Sequence, residues 1–285
     1  MLGKLIKYEN RNVKKALLPL ALGIILVSIL GTIMLKISLF TSENFQPGSV
    51  IATVLSTGSS LMLGFSILAI ISAIFVAFFL IYQRYYRSMF TDEGYLTFTL
   101  PVKPNQILFS KIFVGVIWAI ITAISTFIGI MIFVLFGTST DFINTAVIDE
   151  VFRVFKTAFD MGLVSGIDVA VFITEFVITI LLQTIASFTL VFLSLTIGCQ
   201  IAKKHKIIAS IGFFFLISAI ASTIESSIEV ALMITSFKDI MLIETLNSVS
   251  DFYWIMIPSI IFSAVMSVVY FVINNFIISK KLNIE

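Results

Sequence analysis

Three groups of polar residues stand where this mostly apolar chain could do chemistry. Glu225 and Glu229 lie one helical turn apart, and with Ser218, Ser222 and Ser226 they make a polar stripe at i, i+4, i+7, i+8 and i+11. Ionisable side chains inside a membrane span are costly and count as functional candidates by default. Two carboxylates there suit a vestibule that handles a cation. At about 1.5 Å per residue from Ile207, Glu225 sits roughly 27 Å along its helix. That depth is near the far interface, so a pair of hydrated acids at a helix end is the competing reading. In the second group, Glu175, Thr179, Gln183 and Ser187 recur every fourth residue and continue to Ser194 and Gly198. Such a face either lines a pathway or packs on another helix through small and hydrogen-bonding groups, and packing is the preferred reading. The third group is a pair of acids, Asp92 and Glu93, directly before Gly94 in a polar connection.

Other chemistries are excluded by residue type. One cysteine, Cys199, rules out an internal disulfide framework and a cysteine-only metal site. The single histidine, His205, sits in a lysine cluster, so no histidine-rich metal or catalytic cluster exists. With no aspartate pair in any apolar run, a membrane-embedded hydrolase has no machinery. No catalytic residue, metal ligand or nucleic-acid-binding patch is expected.

The elements that must carry these residues follow from hydropathy. Hydrophobic residues make up 59% of the 285 and charged residues only 12%. A soluble domain carries roughly twice that share of charge. About 20 apolar residues are needed to span a bilayer, and six runs qualify: 16–39, 52–82, 112–136, 169–199, 207–235 and 254–279. The second, fourth and fifth exceed the minimum and must tilt, bend or protrude. Pro258 near the start of the sixth predicts a bend or a broken beginning. The first run is longer than a secretory h-region and lacks a clear cleavage site, so it reads as an uncleaved span. No internal repeat or low-complexity tail interrupts 1–285, which reads as a single transmembrane domain.

Charge fixes the orientation. Lys4, Lys7, Arg11, Lys14, Lys15, Arg84, Arg87, Lys103, Lys111, Lys203, Lys204, Lys206, Lys280 and Lys281 all fall on one side of the six spans, fourteen of the 18 basic residues. The positive-inside rule then makes both termini cytoplasmic. Residues 1–15 show a helical apolar stripe (Leu2, Leu5, Ile6, Val13, Ala16) opposite Lys and Asn, which predicts an interfacial helix leading through Pro19 into the first span. Glu9 falls on that stripe, where a protein contact would rationalise it. The extracytoplasmic segment 137–168 carries Val147, Val151, Val154, Phe155 and Phe159 at helical spacing around charged residues, a short amphipathic helix at the outer surface. In the cytoplasmic segment 83–111, Leu96, Phe98, Leu100 and Val102 alternate with polar residues. That pattern fits a strand, but a lone strand leaves backbone groups unpaired, so a short helix or turn fits equally. Exposed Phe and Leu beside two acids would make a docking knob for a soluble partner; a membrane-dipping loop is the alternative.

The order of residues in 83–111 resembles the permeases of ABC-2 type exporters. Between their second and third spans these carry an acid, a Gly, an apolar strip, a Pro followed by an aliphatic residue, and a Lys opening span three. Glu93, Gly94, Leu100, Pro101, Val102 and Lys111 match that order. The opening, Leu5-Ile-Lys-Tyr-Glu9 with Leu18-Pro19-Leu20, and the six spans with both ends inside are also similar. Ser110 stands where a Gly often precedes the Lys, and Lys103-Pro104 stand where a small hydroxyl residue often follows the Pro-aliphatic pair.

The resemblance implies an all-α integral membrane protein of the ABC-2, type V exporter-like fold, in a bacterial cell (plasma) membrane. It implies a dimer with a second permease copy or paralogue, driven by two cytosolic ABC ATPase subunits that bind ATP and Mg. Those would grip the N-terminal helix at Glu9 and a coupling helix formed around Asp92, Glu93, Gly94, Leu96, Phe98, Leu100, Pro101 and Lys111. No G-x-x-x-x-G-K-[ST] phosphate loop is present, so the ATPase must be a separate chain and this one is not itself an enzyme. Translocation-path candidates are Glu175, Thr179, Gln183, Ser222, Glu225 and Glu229. The implied function is export of a peptide, drug or lipid. The alternative is a non-transporting sensor or immunity component that binds the same kind of ATPase.

Overall fold

The structure is a computed structural model that describes residues 2–46, 49–99, 101–137, 145–163, 166–202, 204–240 and 250–281. Its described residues form helices and no strands. They are α1 (Leu2–Asn44), α2 (Val50–Phe90), α3 (Asp92–Phe98), α4 (Pro104–Gly137), α5 (Thr145–Leu163), α6 (Gly166–Ile201), α7 (Lys206–Ile240) and α8 (Ser250–Lys281). Six of them, α1, α2, α4, α6, α7 and α8, are long and apolar enough to cross a membrane. The chain is a multi-pass, all-helical membrane protein in architecture.

Several helices outrun the expected spans. α1 has 43 residues, about 65 Å at 1.5 Å each, against a hydrocarbon core of about 30 Å. Residues 2–15 therefore continue the first span as one uninterrupted helix through Pro19, and no break sets them off. Likewise α2 runs to Phe90 and α4 starts at Pro104, so 83–111 is mostly helix and only 99–103 remain between α3 and α4. Nothing in Gln83–Phe90 stops a helix, and its Tyr85 and Met89, one turn apart, are both fully buried. Pro104 suits a first helical position, where its missing N–H costs nothing. The alternating pattern at 96–102 is not a strand: Asp92–Phe98 is helical, and a helix satisfies its own backbone where a lone strand cannot. α8 passes through Pro258 without interruption.

The helices fall into two compact units. One holds residues 7–81 and 117–157. There α1 packs through small residues: Gly31 faces Ser66 of α2 and Phe133 of α4, Gly129 of α4 lies on the buried Ser28, and Gly137 lies on Thr32 and Leu35. Close backbone approach at Gly and Ser is how membrane helices associate without a hydrophobic drive. The Trp118 indole N–H donates to Asn10 Oδ1 at 2.9 Å, which fastens the start of α1 to α4. On α5, Arg153 donates two hydrogen bonds to Glu150, at 2.8 and 2.5 Å, and these hold that carboxyl below its ordinary range.

The other unit holds residues 1–6, 82–116 and 158–285. Here α6 packs on both α7 and α8. α6 lies close against α7 at Gly198, where an added Cβ would stand 2.5 Å from the Ser210 backbone nitrogen and Cα.

Candidate functional site

The second unit contains the end of α2, all of α3 and the start of α4. α3 begins after Thr91 with two acids in its first turn, where negative charge suits the exposed N–H groups of a helix start. The Gly94 N–H donates to the Thr91 carbonyl at 2.7 Å. A side chain at 94 would stand 2.7 Å from the Met89 carbonyl oxygen, so only glycine lets α3 fold this tightly against the end of α2.

Two further contacts hold α3 and α4 to α2. Arg84 Nη1 donates to Glu93 Oε2 at 2.8 Å, and Arg87 lies 3.8 Å from the other oxygen of Glu93. Lys111, only 6% exposed, donates from Nζ to Ser88 Oγ at 2.6 Å. The Ser88 hydroxyl in turn donates to the Tyr85 carbonyl.

Beneath these contacts lies a closed polar ring. Tyr85, Thr196 and Asn274, from α2, α6 and α8, are each about 99% or more buried. The Tyr85 and Thr196 hydroxyls are 3.0 Å apart, Thr196 Oγ1 donates to Asn274 Oδ1 at 2.7 Å, and Asn274 Nδ2 donates to the Tyr85 oxygen at 3.3 Å. The single Thr196 proton has two acceptors in reach, Asn274 Oδ1 and the Phe192 carbonyl at 2.8 Å. When it goes to Asn274, Tyr85 is the donor to Thr196, and the three side chains close a cycle whose polar groups strengthen one another in low dielectric. The Tyr85 ring also stacks on Phe192, with centroids 4.0 Å apart and planes 6° from parallel.

The expected coupling residues divide accordingly. Asp92 and Pro101 are exposed, Glu93 and Phe98 half-buried, and Gly94 buried. Tyr95, at 66% exposure, is the aromatic that α3 presents outward, rather than Phe98. Lys111 is buried and joins α4 to α2 through Ser88. The α3 backbone includes Leu96, whose side chain lies outside the described set, and Leu100 lies outside the described residues altogether. Glu9 is half-buried on α1 in the other unit.

The path candidates lie on two helices. On α6, Glu175 and Thr179 are half-buried, while Gln183 and Ser187 are exposed. The Thr179 hydroxyl donates to the Glu175 carbonyl, and Glu175 Oε2 is buried without a partner. Packing does not follow that stripe to its end. A strict four-residue spacing drifts about 40° per step on a helix of 3.6 residues per turn, so Gln183 and Ser187 leave the face. The continuation, Ser194 and Gly198, is buried, beside Thr189 and Thr196. On α7, Ser222 is exposed and bonds its own helix, Glu229 is exposed, and the half-buried Glu225 accepts a hydrogen bond from Ser259 of α8.

The polar face of α8 was not foreseen. Ser263, Ser267, Tyr270 and Asn274 are buried, and with Ser259 they recur at i, i+4, i+8, i+11 and i+15. Two adjacent asparagines in an apolar span, with serines at helical spacing before them, were the available signal. Tyr270 OH and Asn275 Oδ1 are buried without partners, and a group left so costs about 1–3 kcal/mol. In the other unit an apolar groove of about 390 Å³ opens between α2 and α4, lined by residues such as Ile74, Phe78, Thr122 and Phe127. Thr122 and Thr126 give their hydroxyl protons to carbonyls of their own helix.

No protein-family model, no curated protein and no solved structure matches this chain.

Proposed function

We propose that this chain is the permease subunit of an ATP-driven ABC exporter of the ABC-2 type, working as a dimer with a second permease copy or paralogue. Its energy comes from two separate cytosolic ATPase subunits that bind ATP and Mg, and its cargo is a peptide, drug or lipid. The observation that carries this reading is α3. It is a seven-residue helix between the second and third long apolar helices, opened by Asp92, Glu93 and Gly94 and followed by Pro101 and Val102.

A coupling element must be exposed enough to be gripped and fastened enough to pass on a push. The exposed Asp92 and Tyr95 meet the first need. Arg84–Glu93, Lys111–Ser88 and the Gly94 contact with Met89 meet the second. Through α2, a displacement of α3 reaches Tyr85 and so Thr196 of α6 and Asn274 of α8. The basic residues that put both termini inside also put α3 on the ATPase side of the membrane.

Affinity purification of the chain from its native membrane in mild detergent, with identification of what co-purifies, tests the reading. Recovery of an ABC ATPase supports it, and repeated failure to recover one counts against it. An ATPase rate that responds to candidate cargo separates transport from a sensing role.

A further inference from the structure

The start of α1 carries its cations on one side. At 3.6 residues per turn, Lys7, Arg11, Lys14 and Lys15 fall within an arc of about 100°, and all four are exposed. The one acid among residues 1–42, Glu9, stands two positions before Arg11 and so on nearly the opposite side of the helix. None of the four cations has a carboxylate partner among the described residues. Packing holds this face outward. Leu17, Ala21 and Ile24 are buried on another side of α1. Asn10 shares their side and accepts the Trp118 indole N–H of α4 at 2.9 Å, within the same compact unit. That bond opposes any rotation of α1 that would turn the cations inward.

The same face continues into the apolar span. Leu18, Leu22, Leu26 and Ile29 follow Arg11 at i+7, i+11, i+15 and i+18, and all four are exposed. At 1.5 Å per residue they cover about 17 Å, close to one leaflet, which is half of a hydrocarbon core of about 30 Å. Tyr8, 67% exposed, lies at the polar end of this face, and tyrosine suits the headgroup level. Side chains on a helix lean toward its N-terminus, so Arg11, Lys14 and Lys15 reach away from the hydrocarbon into the headgroup layer. One straight face thus offers cations at the depth of phosphates and, further in, aliphatic surface as long as an acyl chain. A soluble acidic protein matches the first half but cannot follow the face into hydrocarbon. An anionic phospholipid matches both.

We infer that this face of α1 is a binding site for an anionic phospholipid. Arg11 and Lys15, one turn apart and in line with Leu18, hold the phosphate. Lys7 and Lys14 flank them and favour a headgroup of net negative charge over a zwitterionic one, whose ammonium group they repel. One acyl chain lies along Leu18, Leu22, Leu26 and Ile29. Clusters of four or more basic residues beside a span recognise anionic headgroups in this way. The site stands on α1 alone and needs neither an ATPase nor a cargo.

The test uses the full chain in phosphatidylcholine nanodiscs, with no ATPase present. Two probes with the same diazirine-bearing acyl chain, a phosphatidylglycerol and a phosphatidylcholine, are photolysed in separate discs, and the adducts are mapped by peptide mass spectrometry. The phosphatidylglycerol probe should label residues 18–29 at least about fivefold above the other, roughly the gain from one well-placed basic residue. Unlabelled phosphatidylglycerol should compete with it. Arg11→Gln combined with Lys15→Gln should bring the two probes close to equal, whereas Arg11→Lys should keep most of the preference. Lys280→Gln, an exposed cation at the end of α8, should leave it unchanged. A monodisperse size-exclusion profile shows that each variant is folded. Equal labelling by the two probes in the parent protein overturns the site and leaves the basic face to water or a soluble partner. An equal drop in Lys280→Gln overturns it in favour of a diffuse effect of net charge.

Discussion

The Tyr85 hydroxyl lies 3.0 Å from the Thr196 hydroxyl, although the two residues are 111 positions apart in sequence. This contact ties the end of α2, next to α3, to the C-terminal part of α6, which packs on α8. With Asn274 it forms a ring of three side-chain hydrogen bonds.

Removing one member of the ring should cost more than its share. Tyr85→Phe keeps the stack on Phe192 but strands a Thr196 lone pair and the Asn274 amide. A loss of about 1–3 kcal/mol is expected, measured by denaturant titration in mixed micelles. The triple variant Tyr85→Phe, Thr196→Val, Asn274→Leu should lose less than the sum of the three single changes, because it leaves no orphaned group.

The Arg84–Glu93 pair is partly solvent-exposed, at 29% and 44%, so its contribution to global stability is under about 1 kcal/mol. Its effect should be local. Glu93→Gln is expected to raise amide exchange in 92–98 a few-fold with no change in global unfolding. Arg84→Gln should do so more weakly, because Arg87 still lies 3.8 Å from Glu93, and the double variant should add little to Glu93→Gln.

Two glycines should respond oppositely to alanine. At Gly198 the new Cβ would collide with the Ser210 backbone, and overpacking of this kind costs about 1–3 kcal/mol. At Gly212 nothing lies within 4 Å, so alanine should be neutral or should stabilise the helix by up to about 1 kcal/mol. Thermal unfolding of the two variants beside the parent distinguishes them.

Asn10→Ala should release the start of α1. The Trp118 indole, 3% exposed, donates to Asn10, and its loss leaves that N–H with at best intermittent water. About 1 kcal/mol is expected, together with faster amide exchange in residues 2–15, where Asn10→Asp should keep the protection.

The six apolar spans were legible because lipid demands long uninterrupted apolar runs, and all six runs fall within long helices here. Their ends were not: hydropathy registers where a helix meets water, and α1, α2 and α4 continue past that point. Within 83–111 the group Asp92, Glu93 and Gly94 was legible, while the pattern after it left strand, short helix and turn open. The burial of Lys111 was not, since its partner Ser88 lies 23 residues away and nothing in the composition links them. The ring was invisible for the same reason on a larger scale. Tyr85, Thr196 and Asn274 come from three helices, and only their packing shows that three polar groups cancel one another's cost. The α8 face could have been read, because its spacing follows 3.6 residues per turn, whereas the strict fourfold stripe on α6 does not stay on one side.

Docking of an ABC ATPase on α3 is tested most directly by cross-linking from Tyr95, a large side chain that α3 holds out. A photoreactive phenylalanine in place of Tyr95, in cells or native membranes, should yield on irradiation an adduct with a cytosolic ABC ATPase subunit, and Glu93→Gln or Asp92→Asn should weaken it. Adducts with lipid alone, in membranes that contain the assembled protein, would contradict the exporter reading.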